Sequence, residues 1–166
     1  MPGQVIIDAL EFGVRKYPEP NGGFPQVSSE LSYNFNPDIN STVVVDPTGL
    51  YLNISGERRV SNVKVNGKNI DLKKNYTVVM FEYLANGGDG YSMFTDYEVT
   101  REALVTDTHA VSNFIEYDLE GVIPKSYSES QGRVINTNEN NKSVGCFITY
   151  KKENTLLLLL FLVLLF

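Results

Sequence analysis

An α+β domain is what this 166-residue sequence predicts. An amphipathic stretch opens the chain, runs with two-residue alternation follow it, and a second amphipathic stretch comes only after the strands. The strand-like runs are separated by turn signals rather than by helices, which argues against a doubly wound parallel sheet.

From Gln4 to Tyr17 the residues Ile6, Ala9, Leu10, Gly13, Val14 and Tyr17 recur at three- and four-residue spacing, which predicts a helix. Pro18, Pro20 and Gly22-Gly23 stop it. In the strand predicted over Phe24 to Phe35, Leu31, Tyr33 and Phe35 alternate with Ser32 and Asn34, so one face is wet. The stretch "NPDINSTVVVDPTGLYLNISGER" reads as a long hairpin or surface insertion, with turn residues at both ends. Arg59 to Val65 and Tyr76 to Tyr83 read as two more strands, and "VNGKNID" between them carries the Asn-Gly signature of a tight hairpin. Thr106 to Leu119 places Ala110, Val111, Phe114, Ile115 and Leu119 on one helical face, and Gly132 to Ile135 makes a last short strand. These elements define a domain over residues 1–136. A polar stalk and spacer follow over 137–155, and an apolar tail over 156–166.

Composition narrows the function. An apolar fraction of 42% supports a core, while a net charge of −6 with scattered lysines and arginines lacks the basic stripe of a nucleic-acid binder. Cys146 is the only cysteine and His109 the only histidine, so neither an internal disulfide nor a cysteine- or histidine-rich metal centre can form. His109, Asp96, Asp107 and Asp118 read as helix-surface or capping residues, and Lys73-Lys74 and Lys151-Lys152 as solvated charge pairs.

The two ends point to different routes. "MPGQVIIDALEFG" has no basic start and no apolar run of signal length. The tail "LLLLLFLVLLF" is eleven apolar residues, roughly 16 Å as a helix, and a bilayer core is about 30 Å thick. Behind a polar spacer and a small-residue site, such a tail has the form of a GPI-attachment signal, with Ser143 as attachment residue and Asn141 as the alternative. A short tail anchor and a gene-model artefact are the other readings. The GPI reading expects Cys146 to be discarded on processing and the chain to be the C-terminal part of a longer secreted precursor. Sequons at Asn40 and Asn53 fit that route; the one at Asn75, at a strand edge, is weaker.

The stretch "EYLANGGDGYSMF" carries the chemistry. Gly87, Gly88 and Gly90 permit close approach of a ligand to the backbone and hold Asp89 at a set angle. Its two carboxylate oxygens can accept from a vicinal diol such as that of ribose, and Tyr83 on the rim can offer a flat face to a base. The same residues would equally make a tight turn whose aspartate bonds its own backbone and whose aromatics are core.

Taken together, "IDALEFGVRKY", "GGFPQVSS", "RVSNVKVNGKNIDLKKNYTVVM" and "EYLANGGDGYSMF", in this order, closely resemble the C-terminal substrate-binding domain of the 5'-nucleotidase family. That family includes ecto-5'-nucleotidases, apyrases and bacterial UDP-sugar hydrolases. The resemblance runs from about Gly3 to Ile135, and the tail resembles the animal GPI-anchored branch. It implies a four-layer α/β/β/α domain, paired in the whole enzyme with an N-terminal metallophosphoesterase domain that holds two divalent metals, usually zinc. By the same resemblance Tyr83 stacks on the base, where the family usually has phenylalanine, and Asp89 accepts from the ribose hydroxyls. Asn86 and Gly87, Gly88 and Gly90 shape the loop, while Phe24 and Gln26 support the sheet. Ser29 stands where the family writes glycine.

The second aromatic of the family's base clamp, its arginines, and the DxH and GNHE metal motifs are absent from this chain. The expectation is therefore no catalytic residue, no metal ligand and no cofactor here, and a fragment that is silent alone. The whole protein is expected to be an extracellular, GPI-anchored nucleotidase that hydrolyses nucleoside 5'-monophosphates such as AMP, with a homodimer plausible. An apyrase, a UDP-sugar hydrolase and a non-catalytic surface module are the alternatives.

Overall fold

The computed structural model describes residues 1–99, 105–138 and 164–165. Helix α1 spans Gly3–Gly13. Strands β1 (Leu31–Phe35), β4 (Val60–Val65), β5 (Lys68–Asn69) and β7 (Val134–Asn136) form a mixed sheet in the order β5-β4-β1-β7, with β7 parallel to β1 and the other pairs antiparallel. A separate antiparallel hairpin pairs β2 (Val43–Val45) with β3 (Tyr51–Ile54). The remaining strands are β6 (Val78–Val79) and β8 (Leu164–Leu165), which pair antiparallel, and the remaining helices are α2 (Glu82–Ala85) and α3 (Asp107–Asn113).

Helix α1 is buried on two sides. Ile6, Leu10 and Val14 pack on the sheet residues Leu31, Tyr33, Phe35, Val60, Val63 and Val134. Ala9 and Phe12 face a second cluster with Leu84, Tyr91, Met93 and Phe94. The helix is thus a layer between the sheet and the hairpin. Each fully buried aromatic or aliphatic side chain contributes about 1.5–3 kcal/mol of apolar transfer.

Two buried polar residues lock α1 to the sheet. Glu11 is fully buried, and its two carboxylate oxygens accept from the backbone N–H groups of Arg59 (2.9 Å) and Val60 (2.8 Å). Arg59, also buried, donates from Nη1 to the carbonyls of Val14 and Tyr17, both at 3.0 Å, and from Nε to that of Ile39. It thereby satisfies carbonyls that the end of α1 leaves without intrahelical partners. At the other end, the N–H groups of Gly3 and Gln4 donate to the carbonyls of Lys74 and Leu72.

Several sequence expectations hold. The alternation over β1 buries Leu31, Tyr33 and Phe35 and leaves Ser32 and Asn34 half-buried. The Asn66-Gly67 turn has positive φ at both residues, 50° and 73°, as a two-residue hairpin of matching twist requires.

Others need correction. Helix α1 ends at Gly13 rather than Tyr17, because Val14 leaves the helical region and tightened turns lead to Pro18, which cannot donate. Residues 24–30 are not strand. The Asn-Gly hairpin joins β4 to β5, not to the run Tyr76 to Tyr83; that run is strand only at Val78–Val79 and then turns into α2. The second helix passes into a π-helical turn at Phe114–Asp118, and the wider turn shifts the phase of its apolar face. Val111, Ile115 and Leu119 are half-buried, while Ala110 and Phe114 are exposed. The last strand begins at Val134 rather than Gly132. Asn141, Ser143, Cys146 and most of the stalk and tail lie outside the described residues.

Candidate functional site

The glycine-rich stretch is positioned by its neighbours on both sides. In α2, Leu84 is buried against Phe12 and Tyr91, so the adjacent Tyr83, about 100° around the helix, faces outward and is 58% exposed. Tyr83 thus stands on a helical turn and not at a strand end. After Asn86 the chain passes through Gly87 at φ 84° and Asp89 at φ 53°, a left-handed conformation that aspartate tolerates better than most residues.

The loop is anchored at three points. Tyr91 is buried edge-on against Phe12, with ring centroids 4.8 Å apart, and its hydroxyl donates to the Gly23 carbonyl at 2.5 Å. Burial pushes this hydroxyl's pKa far upward, so it stays protonated and keeps donating. Ser92 Oγ donates to the Tyr51 carbonyl at 2.6 Å, tying the loop to β3. The third anchor is the hairpin turn, where Asp46 Oδ1 accepts from Thr48 N and Leu50 N, both at 2.9 Å. That turn holds the Gly49 carbonyl against Gly90, where an added Cβ would lie 2.4 Å from the oxygen.

Tyr83 and Asp89 meet directly. The Tyr83 hydroxyl donates to Asp89 Oδ1 and accepts from the Asp89 backbone N–H, each at 3.1 Å. One face of the Tyr83 ring lies on Gly88, where a Cβ would come within 2.4–2.5 Å of three ring carbons. An aromatic ring and a carboxylate are therefore presented side by side on one exposed loop.

Arg15 was not singled out by sequence. Its guanidinium stacks 3.5 Å from the Phe12 ring centroid and donates to the Phe12 carbonyl at 2.7 Å. Partial burial pulls its pKa down, opposed by the nearby Tyr91 and Asp89. The only advance signal was a cation in the last turn of the helix predicted over Gln4 to Tyr17. Asn21 was missed as well; its amide donates to the Gly13 carbonyl and its oxygen accepts from Gly23 N, fixing the turn that receives the Tyr91 hydroxyl.

The other predicted residues are dispersed. Asn86 is exposed beside the loop, and Phe24 and Gln26 are half-buried in the supporting core. Phe24 and Gln26 help line an apolar cavity of about 60 Å³ between the two clusters, with Ile6, Leu10, Val78 and Met80. Ligand pockets are typically about 300 Å³ or more, so this is a packing gap beside the exposed loop. Asn40, Asn53 and Asn75 are all exposed, and His109 sits exposed in the first turn of α3, where its N–H donates to Thr106 Oγ1. Among the described residues no group of three or more His, Cys, Asp or Glu side chains could hold a metal ion. The described residues therefore do not fit the divalent metals that the resemblance implies for the whole enzyme. No described helix is long and apolar enough to cross a membrane.

Comparison with known proteins gives the family and the fold. The family described as "5'-nucleotidase, C-terminal domain" matches residues 1–96. Protein 5NUC of Lutzomyia longipalpis is 32% identical over 127 residues, covering 70% of this chain and 19% of that protein. The trifunctional nucleotide phosphoesterase protein YfkN of Bacillus subtilis (strain 168) is 30% identical over 132 residues, covering 70% of this chain and 8% of YfkN. This chain thus spans a fifth or less of the curated relatives it matches. A crystal structure assigned as a 5'-nucleotidase from Staphylococcus aureus, in complex with alpha-ketoglutarate, superposes with a TM-score of 0.55 at 22% identity. It covers 75% of this chain and 24% of that one, and shows the same fold.

Proposed function

Because this chain belongs to the 5'-nucleotidase C-terminal domain family, we propose that it is the nucleotide-recognition part of a longer phosphoesterase acting on nucleoside 5'-monophosphates such as AMP. The observation that carries the reading is the exposed Tyr83 ring fixed beside the Asp89 carboxylate. The ring offers a π-face to a base, worth about 1–3 kcal/mol. The carboxylate offers acceptors to the two ribose hydroxyls, at about 1.5–3 kcal/mol per charge-assisted bond.

Neither group activates water. In this reading the chemistry of cleavage, which two divalent metals held elsewhere in the whole enzyme would supply, lies outside the described residues. The chain's own residues bind and orient: Tyr83 sets the base plane, Asp89 sets the sugar, and the loop carries the 5'-oxygen toward the catalytic half. The choice among monophosphates, longer phosphate chains and nucleotide sugars then falls to residues at the phosphate end.

In the full-length protein, Asp89→Ala is expected to raise the Michaelis constant for AMP by at least about tenfold, the equivalent of one charge-assisted bond lost. An unchanged constant would make Asp89 a turn residue only. We further propose surface display through a GPI anchor attached at Ser143 or Asn141. Phosphatidylinositol-specific phospholipase C is then expected to release the protein from cells, and its retention on the membrane would argue for a tail-anchored form.

A further inference from the structure

The geometry points to the Tyr83 hydroxyl as a positioning group that sets Asp89 for a ribose diol, so that one loop reads base and sugar as a single rigid unit. This rests on the recognition reading above and adds a specificity determinant to it.

The Asp89 N–H donates to the Tyr83 hydroxyl, and that hydroxyl donates to Oδ1 of the same aspartate. The two bonds close a ring that holds both the backbone and the side chain of Asp89. They leave Oδ2 and the second lone pair of Oδ1 to accept from a ligand, which is the number of acceptors that two neighbouring hydroxyls need. Meanwhile the backbone at Gly88 covers one face of the Tyr83 ring and its other side is open to solvent. The base plane and the diol acceptor are therefore set before any ligand arrives. Less ordering is left to be done on binding, which is the general gain from preorganisation. The hydroxyl acts through Asp89, so its contribution is felt only by ligands that use that carboxylate.

The test uses the full chain, wild type, Tyr83→Phe and Asp89→Ala, followed by NMR at the amides of residues 87–90 during titration with adenosine and with 2',3'-dideoxyadenosine. Adenosine reads stacking plus diol; the dideoxy compound reads stacking alone. In the wild type adenosine is expected to bind more tightly than the dideoxy compound. Tyr83→Phe should weaken adenosine by about threefold to tenfold more than it weakens the dideoxy compound, the range of one hydrogen bond's net contribution, since the phenyl ring keeps a π-face for the base. Its Asp89 amide should also exchange faster with solvent, having lost its acceptor. Equal weakening of both ligands, or no change in either, would overturn the positioning role while leaving the recognition reading intact, provided Asp89→Ala still abolishes the preference for adenosine. A wild-type chain that binds adenosine no better than the dideoxy compound, or not at all, would overturn both.

Discussion

Replacing Glu11 by alanine is expected to lower the free energy of unfolding by about 3–5 kcal/mol, the largest single effect in this chain. The carboxylate accepts from two backbone N–H groups at the start of β4, and all three groups are buried. Alanine would leave both donors unsatisfied, each costing about 1–3 kcal/mol, and would open a hole that water reaches poorly. Glu11→Gln retains one acceptor oxygen but turns an amide donor toward the second N–H, so about half of the loss is expected. Urea denaturation of the chain and its variants measures this, and a loss below about 1 kcal/mol for the alanine variant would show that the α1–β4 lock is dispensable.

The second large effect is expected at Gly90. An alanine there would place Cβ 2.4 Å from the Gly49 carbonyl oxygen and 2.9 Å from Cζ of Phe12, in a backbone held at φ +89°. The obstacle is backbone and buried ring, so neither can step aside without moving the hairpin turn or the core. A cost of about 2–4 kcal/mol follows from strain and collision together. Gly67→Ala is the control: it has φ +73° with nothing within 4 Å, so it carries only the conformational penalty of roughly 1 kcal/mol. Thermal unfolding of the two variants separates the terms. Equal shifts in melting temperature would mean that the contact between the hairpin turn and the glycine loop contributes nothing.

Both predictions concern residues whose importance periodicity could not reveal. Glu11 sits in the run "IDALEFG" at a position that sequence reads as polar surface, and only the placement of β4 against α1 turns it into a buried acceptor. Arg59 looks like the first residue of a strand, yet its side chain reaches back across the chain to cap α1. The run Tyr76 to Tyr83 has strand-like residues, but two residues pair and the rest bends into α2, where Leu84 enters the core. Tertiary packing overrode local propensity there.

Local patterns carried further where the physics is local. The three- and four-residue spacing of α1, the alternation of β1 and the Asn-Gly turn each encode backbone geometry within a few residues, and each is present, though with shorter bounds for α1 and β1 and a different second strand for the hairpin. The motif "NGGDG" likewise declared its own loop, since left-handed φ at Gly87 and a close approach at Gly88 depend on the absence of a side chain. By itself, then, the sequence determined the fold class, the family and the turn residues of the glycine-rich loop. Which groups meet was decided by the tertiary structure alone: the Tyr83 hydroxyl on Asp89, Tyr91 on Gly23, Gly90 under Gly49, and β7 beside β1. The reason is one of range. A dihedral preference or a periodicity is written in neighbouring residues, whereas a hydrogen bond or a van der Waals contact between distant segments exists only once the chain has closed on itself.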